Sequence, residues 1–127
     1  MTCSACGGRT VAFAVPAELR PHAPGEFATI CTHCLRTGAS DEAPADPSFD
    51  DIHPAFPSGE AGGALAVALG LLDSLALRRT AIDDCCSYAE RAGADVLLTL
   101  DRLVEADDVE PHVDLSRRRH QLAEMLN

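Results

Sequence analysis

The alternation of apolar and polar residues predicts two short β-strands close to the start of the chain. Residues 10–15 alternate and are rich in β-forming side chains, and Pro16 ends the pattern. Residues 26–30 have the same character and lead directly into Cys31. We therefore expect a β-hairpin, with residues 16–25 as its connecting loop.

Apolar residues at helical spacing predict four helices within residues 59–127. The first is apolar nearly all round, which is typical of a helix that is buried on several sides. Each predicted helix has a capping or terminating residue that marks one of its ends. The four are residues 60–77 after Ser58, about 79–92 before Gly93, a third from Asp95 to a break at Asp107, and a fourth after Asp114.

Residues 37–58 lie between these two regions and have the composition of a linker. Four prolines occur there among acidic and small residues. Phe49, Ile52 and Phe56 are nevertheless too apolar for a free tether, and Ser48 is a candidate N-cap for one helical turn. We expect that turn to dock against a neighbouring domain.

Two pairs of cysteines have the spacing of a metal site. Cys3 and Cys6 are separated by two residues, and so are Cys31 and Cys34. Each pair can direct two thiolates at one point, so that two pairs supply the four sulfurs of a closed tetrahedral zinc site. With the two predicted strands between the pairs, residues 1–36 are predicted to form a zinc ribbon.

The predicted metal is zinc, and iron is the competing assignment. Rubredoxin-like iron sites use the same two turns but typically have a glycine after both pairs. Here Gly7 follows Cys6, whereas Leu35 follows Cys34, and this departure favours zinc. Four thiolates leave no open coordination position, so we expect the ion to be structural and not to activate water.

Together these patterns predict an α+β protein in which a small β-hairpin zinc ribbon is followed by a four-helix, mostly α domain. The predicted boundaries are residues 1–36 for the ribbon, 37–58 for the Pro-rich linker with its docking turn, and 59–127 for the helical domain. Four short helices form a small core, in which the first helix would be poorly covered. Either the ribbon or a second copy of the chain must cover it, and we expect a homodimer through residues 60–77.

The chain is strongly acidic, which bears on its environment. Among 127 residues it has 20 Asp and Glu, ten Arg and no Lys, for a net charge of −10. This charge produces self-repulsion, which is screened at molar salt. We therefore expect a halophilic source, with a GC-rich genome as the alternative explanation of the composition.

The sequence predicts a cytoplasmic protein with no membrane contact. The first cysteine pair begins at Cys3, which leaves no room for a charged and then apolar signal region. The longest apolar stretch, residues 62–77, contains Asp73 and is shorter than the roughly 20 residues that cross a bilayer. In the cytoplasm, paired cysteines are more often metal ligands than disulfides.

Outside the cysteine pairs, one polar cluster is a candidate surface for an anion or a partner. It consists of Arg117, Arg118 and Arg119 near the end of the chain. His33, between the ligands of the second pair, is a further candidate contact for a partner. The alternative for the arginines is ion pairing with the acidic surface of the chain.

Two further sets of residues are assigned no catalytic or metal-binding task. His112, Asp114 and His120 can be assembled into a hydrolytic site on paper, but nothing in their spacing fixes a geometry. Cys85 and Cys86 lie on the apolar face of the second predicted helix, and we expect them to be small core residues. No catalytic residue is predicted.

These observations favour a non-catalytic protein-interaction or regulatory module with an unknown protein partner. Nucleic-acid binding by a transcription-related zinc ribbon is the alternative, and a hydrolytic enzyme is less favoured. Residues 1–40 are close to neutral, whereas the rest of the chain carries a charge of −11, so the ribbon is the candidate nucleic-acid face. Because phosphate binding draws on counterion release, which is lost at high salt, a protein partner is the preferred expectation.

The layout resembles an uncharacterised family of short haloarchaeal proteins with an N-terminal four-cysteine zinc ribbon and a helical C-terminal part. The resemblance covers nearly the whole chain. It is carried by residues 3–7, 11–16, 31–34, 71–77 and 111–121. What it implies is a ribbon that serves as an interaction or regulatory module, with no assigned activity.

Overall fold

The computed structural model describes residues 2–126 and contains a three-stranded antiparallel sheet followed by four α-helices. The predicted α+β class is confirmed. The elements are β1 (Thr10–Ala14), β2 (Phe27–Cys31), β3 (Thr37–Ser40), α1 (Gly59–Leu71), α2 (Arg79–Arg91), α3 (Val96–Glu105) and α4 (Leu115–Leu126).

β2 is the central strand and pairs with both of its neighbours. Val11 lies opposite Ile30, and Phe13 lies opposite Ala28, so that one face of the β1–β2 hairpin carries four buried apolar side chains. The sequence pattern did not indicate β3, because these four residues show no apolar alternation. Its strand conformation comes from pairing with β2, where Thr37 lies opposite Ile30.

α1 is buried on all sides by the chain itself. Every residue from 61 to 69 is buried, as expected for a helix that is apolar nearly all round. The sheet covers one side of α1, where Gly70 packs against Thr37, and α2 covers another. The argument for a homodimer through residues 60–77 required an uncovered helix, so dimerisation stays a prediction without this support.

α1 is shorter than the sequence pattern indicated. It ends at Leu71, and a 3₁₀ turn at Leu72–Ser74 replaces the predicted continuation to residue 77. Asp73 and Ser74 are poor helix formers, which agrees with a break at this point. The turn reverses the chain so that α2 packs back on α1, and it leaves Leu77 88% exposed.

A short turn within residues 37–58 joins the sheet to the helices. A 3₁₀ helix forms at Phe49–Asp51, and Phe49, Ile52 and Phe56 are all buried. The Phe49 ring lies between the rings of Phe13 and Phe56, with centroid distances of 5.6 and 5.3 Å. The sheet, this turn and the helices therefore share one hydrophobic core.

The predicted N-caps divide into two groups. The side chains of Asp95 and Asp114 each accept a hydrogen bond from the backbone N–H three residues further on, at 3.0 and 3.1 Å. Ser48 and Ser58 precede their helices as expected, but their side chains accept no capping hydrogen bond.

Two features of the helices bear on other predictions. Cys85 and Cys86 of α2 are fully buried, as expected for core residues, and burial raises the pKa of each thiol to about 12.

Within residues 2–126, none of the helices combines the length and the apolar character that a membrane crossing requires.

Candidate metal centre

The four cysteines of the two pairs converge at one end of the sheet. The four sulfur atoms all lie within 4.8 Å of one another. Cys3 Sγ is 3.7 Å from Cys34 Sγ, and Cys6 Sγ is 3.4 Å from Cys31 Sγ. A tetrahedral zinc ion with Zn–S bonds of about 2.3 Å places its sulfurs about 3.8 Å apart. The observed separations are close to this value and far longer than the roughly 2.05 Å of a disulfide.

Two turns of matching backbone geometry present these sulfurs. We call residues 3–8 the first knuckle and residues 31–36 the second knuckle. In each, the N–H of the first cysteine donates to the carbonyl five residues on, at 2.7 and 2.9 Å respectively. The N–H four residues on donates back to the carbonyl of the first cysteine, at 2.8 and 3.1 Å. The two knuckles are therefore two copies of one structure.

The residue after the second cysteine adopts a positive φ in both knuckles. Gly7 has a φ of +77°, and Leu35, at the equivalent position, has a φ of +65°. Leu35 thus has the backbone conformation that a glycine would supply at lower cost. The sequence argument against iron took Leu35 as a departure from the iron-site pattern. Because the backbone does not differ between the knuckles, that argument does not separate zinc from iron.

The knuckles approach each other closely at Gly8. A Cβ atom at this position would lie 3.0 Å from Cys31 Sγ and 3.0 Å from His33 Cβ. Backbone N–H groups also point at the sulfurs: those of Gly8 to Cys6 Sγ, and of His33 and Cys34 to Cys31 Sγ, each at 3.4 Å. Such donors stabilise the charge of a metal-bound thiolate.

The surroundings act in opposite directions on two of the thiols. Backbone N–H groups of Cys6 and Ala5 donate to Cys3 and lower the pKa of its thiol to about 6. Burial raises the pKa of the Cys31 thiol to about 12. A cation shared by the sulfurs would offset the cost of the buried thiolate, since a coordinating thiol is deprotonated outright. The donor set therefore fits a metal ion.

One side of the centre faces solvent and the other faces the core. Cys31 and Cys34 are buried, Cys3 is half-buried, and Cys6 is exposed. The second knuckle is therefore the inner one. Its Leu35 side chain is 1% exposed and packs in the hydrophobic core.

The segment between α3 and α4 contacts the second knuckle, which the sequence did not indicate. Glu110 N–H donates to the His33 carbonyl at 2.7 Å, and His112 N–H donates to the Cys34 carbonyl at 2.9 Å. His33 Nδ1 lies 2.8 Å from the Asp108 carbonyl, and His112 Nδ1 lies 2.9 Å from the Cys34 carbonyl. Since a carbonyl only accepts, both ring nitrogens donate. His33 is thus engaged within the chain, where the sequence suggested a side chain available to a partner.

The three arginines of the candidate anion surface have separate surroundings. Arg119 donates to both carboxylate oxygens of Asp101, at 2.8 and 3.1 Å. Arg118 donates to Gln121 Oε1 at 2.8 Å, and Arg117 is exposed. The ion-pair alternative therefore describes Arg119, and the three side chains do not form one site.

The residues of the hypothetical hydrolytic site are each engaged with a different neighbour. His112 contacts the Cys34 carbonyl, Asp114 caps α4, and His120 lies 3.6 Å from Glu124 on the exposed side of α4. No contact between these three side chains supports a catalytic arrangement in the described part of the chain.

The fold and the site define a small α+β protein with a two-knuckle, four-cysteine centre that is packed against a helical half. The chain belongs to a family of unknown function (DUF6276), whose family model matches residues 2–126. No match was found among curated proteins or among solved structures.

Proposed function

We propose that Cys3, Cys6, Cys31 and Cys34 hold one structural zinc ion, and that the protein acts without catalysis as an interaction or regulatory module. The observation that carries the proposal is the convergence of four sulfurs within 4.8 Å from two matching knuckles. Four thiolates spaced so that they can bind one ion tetrahedrally suit zinc, and iron is the second candidate.

The closed ligand set is the argument against catalysis at the metal. A zinc ion that activates water has three protein ligands and an open position, whereas four sulfurs complete the shell. Bound in this way, the ion contributes folding free energy to two short knuckles.

The charges around the sheet favour a protein partner over nucleic acid. Arg9 pairs with Asp51 at 3.1 Å, and Arg20 lies 3.8 Å from Glu26. These contacts reduce the basic character that phosphate binding requires. Arg36 is exposed and is the one arginine of residues 2–40 without a carboxylate within 4.0 Å among the described residues.

Metal analysis of the untagged protein tests the metal assignment. We expect one zinc per chain, and an iron-loaded protein would overturn the choice of metal. Cys6→Ser removes an exposed ligand with little effect on packing. We expect it to weaken metal binding by more than the roughly 10- to 100-fold that loss of an outer-shell partner causes. Cys86→Ala, which changes a buried core cysteine, is the control and should keep one ion. Wild-type protein without stoichiometric metal would refute the proposal.

An affinity capture at molar KCl, with and without nuclease, tests the class of partner. We expect a defined protein that is retained after nuclease treatment and is lost with Cys6→Ser. Nucleic acid in the captured material, with loss of binding after nuclease, would favour the alternative.

A further inference from the structure

The segment between α3 and α4 has no regular secondary structure. Two of its backbone N–H groups are instead hydrogen-bonded to carbonyl groups of the second knuckle. We call residues 108–112 the latch. Two of its backbone N–H groups donate to the carbonyls of His33 and Cys34, and its His112 ring donates to the same Cys34 carbonyl. In return, His33 donates to the Asp108 carbonyl. Val109, in the middle of the latch, is 6% exposed and belongs to the core.

The carbonyl groups that accept hydrogen bonds from the latch belong to the second knuckle. In the proposed metal site Cys34 is a ligand and His33 lies between two ligands, so the positions of both carbonyls depend on the shape of the knuckle. An ion held by the four sulfurs would stabilise this shape. Short knuckles of this kind depend on the metal for their folded form.

α4 has few attachments apart from the latch. It packs mainly on α3, where Arg119 pairs with Asp101 and where Leu115 and Leu122 are buried. A cleft of about 280 Å³ separates the rest of α4 from the corner between α1 and α2. Its lining consists of Leu75, Ala76 and Arg79 on one side and Arg118, Gln121, Glu124 and Met125 on the other.

We propose that the metal ion controls the position of α4 through the latch. With the metal bound, the second knuckle accepts the hydrogen bonds of the latch and α4 is held against α3. Loss of the metal releases the latch, opens the cleft and exposes the apolar side chains of Val109, Leu75 and Met125. The inference rests on the proposed metal site and adds a regulatory role to that site. In this role the ion is more than structural, because its presence or loss changes a surface away from the metal site.

Hydrogen exchange of the 127-residue chain, first metal-loaded and then treated with a chelator under reducing conditions, tests whether metal loss releases the latch and α4. We expect exchange in peptides covering residues 106–126 to rise at least about tenfold after metal removal, while peptides of α2 keep their protection. Unchanged exchange at residues 106–126 after complete metal removal would overturn the proposal. An equal rise in α2 would also overturn it, since that result indicates global unfolding.

His112→Ala tests the latch with the metal in place, and His120→Ala is the matched control on the exposed side of α4. Because coupling between two sites is reciprocal, a metal ion that stabilises the latch is itself bound more tightly when the latch is closed, so weakening the latch weakens metal binding. Loss of one neutral hydrogen bond corresponds to about a two- to tenfold change, in both metal affinity and α4 exchange. We expect this for His112→Ala, with one ion per chain retained, and no change for His120→Ala.

The outcomes separate the two proposals. A protein that binds no metal refutes the proposed function. One ion per chain, with His112→Ala indistinguishable from His120→Ala, leaves the metal site intact and refutes the latch alone.

Discussion

Leu35 has a backbone conformation that is usually found in glycine. Its φ of +65° costs a side-chain-bearing residue about 1–2 kcal/mol. Burial of a leucine side chain contributes about 1.5–3 kcal/mol, and this side chain is 1% exposed. The strain is therefore offset by packing. Gly7, at the equivalent position of the solvent-exposed first knuckle, has no packing to gain, which explains the difference between the two knuckles at this residue.

Tyr88 is a single-residue probe of the contact between α1 and α2. Its hydroxyl donates a hydrogen bond to the Glu60 carboxylate. This bond raises the pKa of Tyr88 above its ordinary value of 10.0, because the carboxylate stabilises the protonated phenol and repels the phenolate. Because the pKa of Tyr88 is higher in the folded than in the unfolded protein, its hydrogen bond to Glu60 stabilises the fold below about pH 10. This stabilisation is lost as the pH rises through the folded-state pKa.

Ultraviolet titration can measure this shift directly, because the chain has one Tyr and no Trp. We expect a higher apparent pKa in the native protein than in the denatured protein. Glu60→Gln removes the charge and should move the native value back towards 10. Equal values in native and denatured protein would contradict the assigned contact.

At the scale of elements, glycines in α1 set the distance between helix and sheet. A Cβ at Gly70 would overlap the Thr37 side chain of β3, with the Cβ of Thr37 only 2.8 Å away. A Cβ at Gly63 would meet Ala14 O at 3.3 Å and Pro16 Cδ at 3.4 Å, close to ordinary contact. The contact at Gly70 is therefore the tighter of the two.

We expect Gly70→Ala to destabilise the metal-loaded protein by about 1–3 kcal/mol. Gly63→Ala is the matched change in the same helix and should stay within about 1 kcal/mol of wild type, because better helix propensity offsets mild crowding. Denaturant unfolding measures both. Thr37→Ala in the Gly70→Ala background should restore part of the loss, and a Gly70→Ala protein as stable as wild type would show that the helix and β3 are further apart.

On the scale of the whole molecule, the chain carries a net charge of −10, and few strong ion pairs form among residues 2–126. The pairs that form are mostly exposed, such as Arg9 with Asp51 and Arg91 with Glu18, and exposed pairs contribute about 0–1 kcal/mol each. Pairing therefore leaves much of the repulsion among the acidic groups in place.

We expect the Tm of the metal-loaded protein to rise when KCl increases from about 0.1 to about 2 M, because the Debye length falls from about 10 Å to below 3 Å. Each kcal/mol of relieved repulsion corresponds to roughly 3–6 °C for a chain of this size. Thermal unfolding followed by circular dichroism measures the effect. The double variant Asp41→Asn, Glu42→Gln changes exposed acids and should show a smaller increase, whereas a flat response in wild type would contradict the argument.

Short-range information in the sequence was enough to identify the four cysteines that cluster as a candidate metal site, and the presence of the four helices. A Cys-x-x-Cys pair places two sulfurs in one turn, and apolar periodicity marks the buried face of a helix, because both depend on residues close together in the chain. Asp95 and Asp114 were identified as caps for the same reason. The end of α1 at Leu71 was not, because a turn required for packing against α2 overrode a continuous apolar pattern.

Tertiary structure alone decided the features that join distant residues. Thr37–Ser40 is a strand because β2 supplies its hydrogen bonds, and α1 is covered because the sheet folds back on it. The latch brings His112 to the Cys34 carbonyl across a separation of 78 residues, and no local pattern encodes such a contact. Backbone groups that lack partners in their own segment find them wherever packing brings acceptors within reach, and that depends on the whole fold.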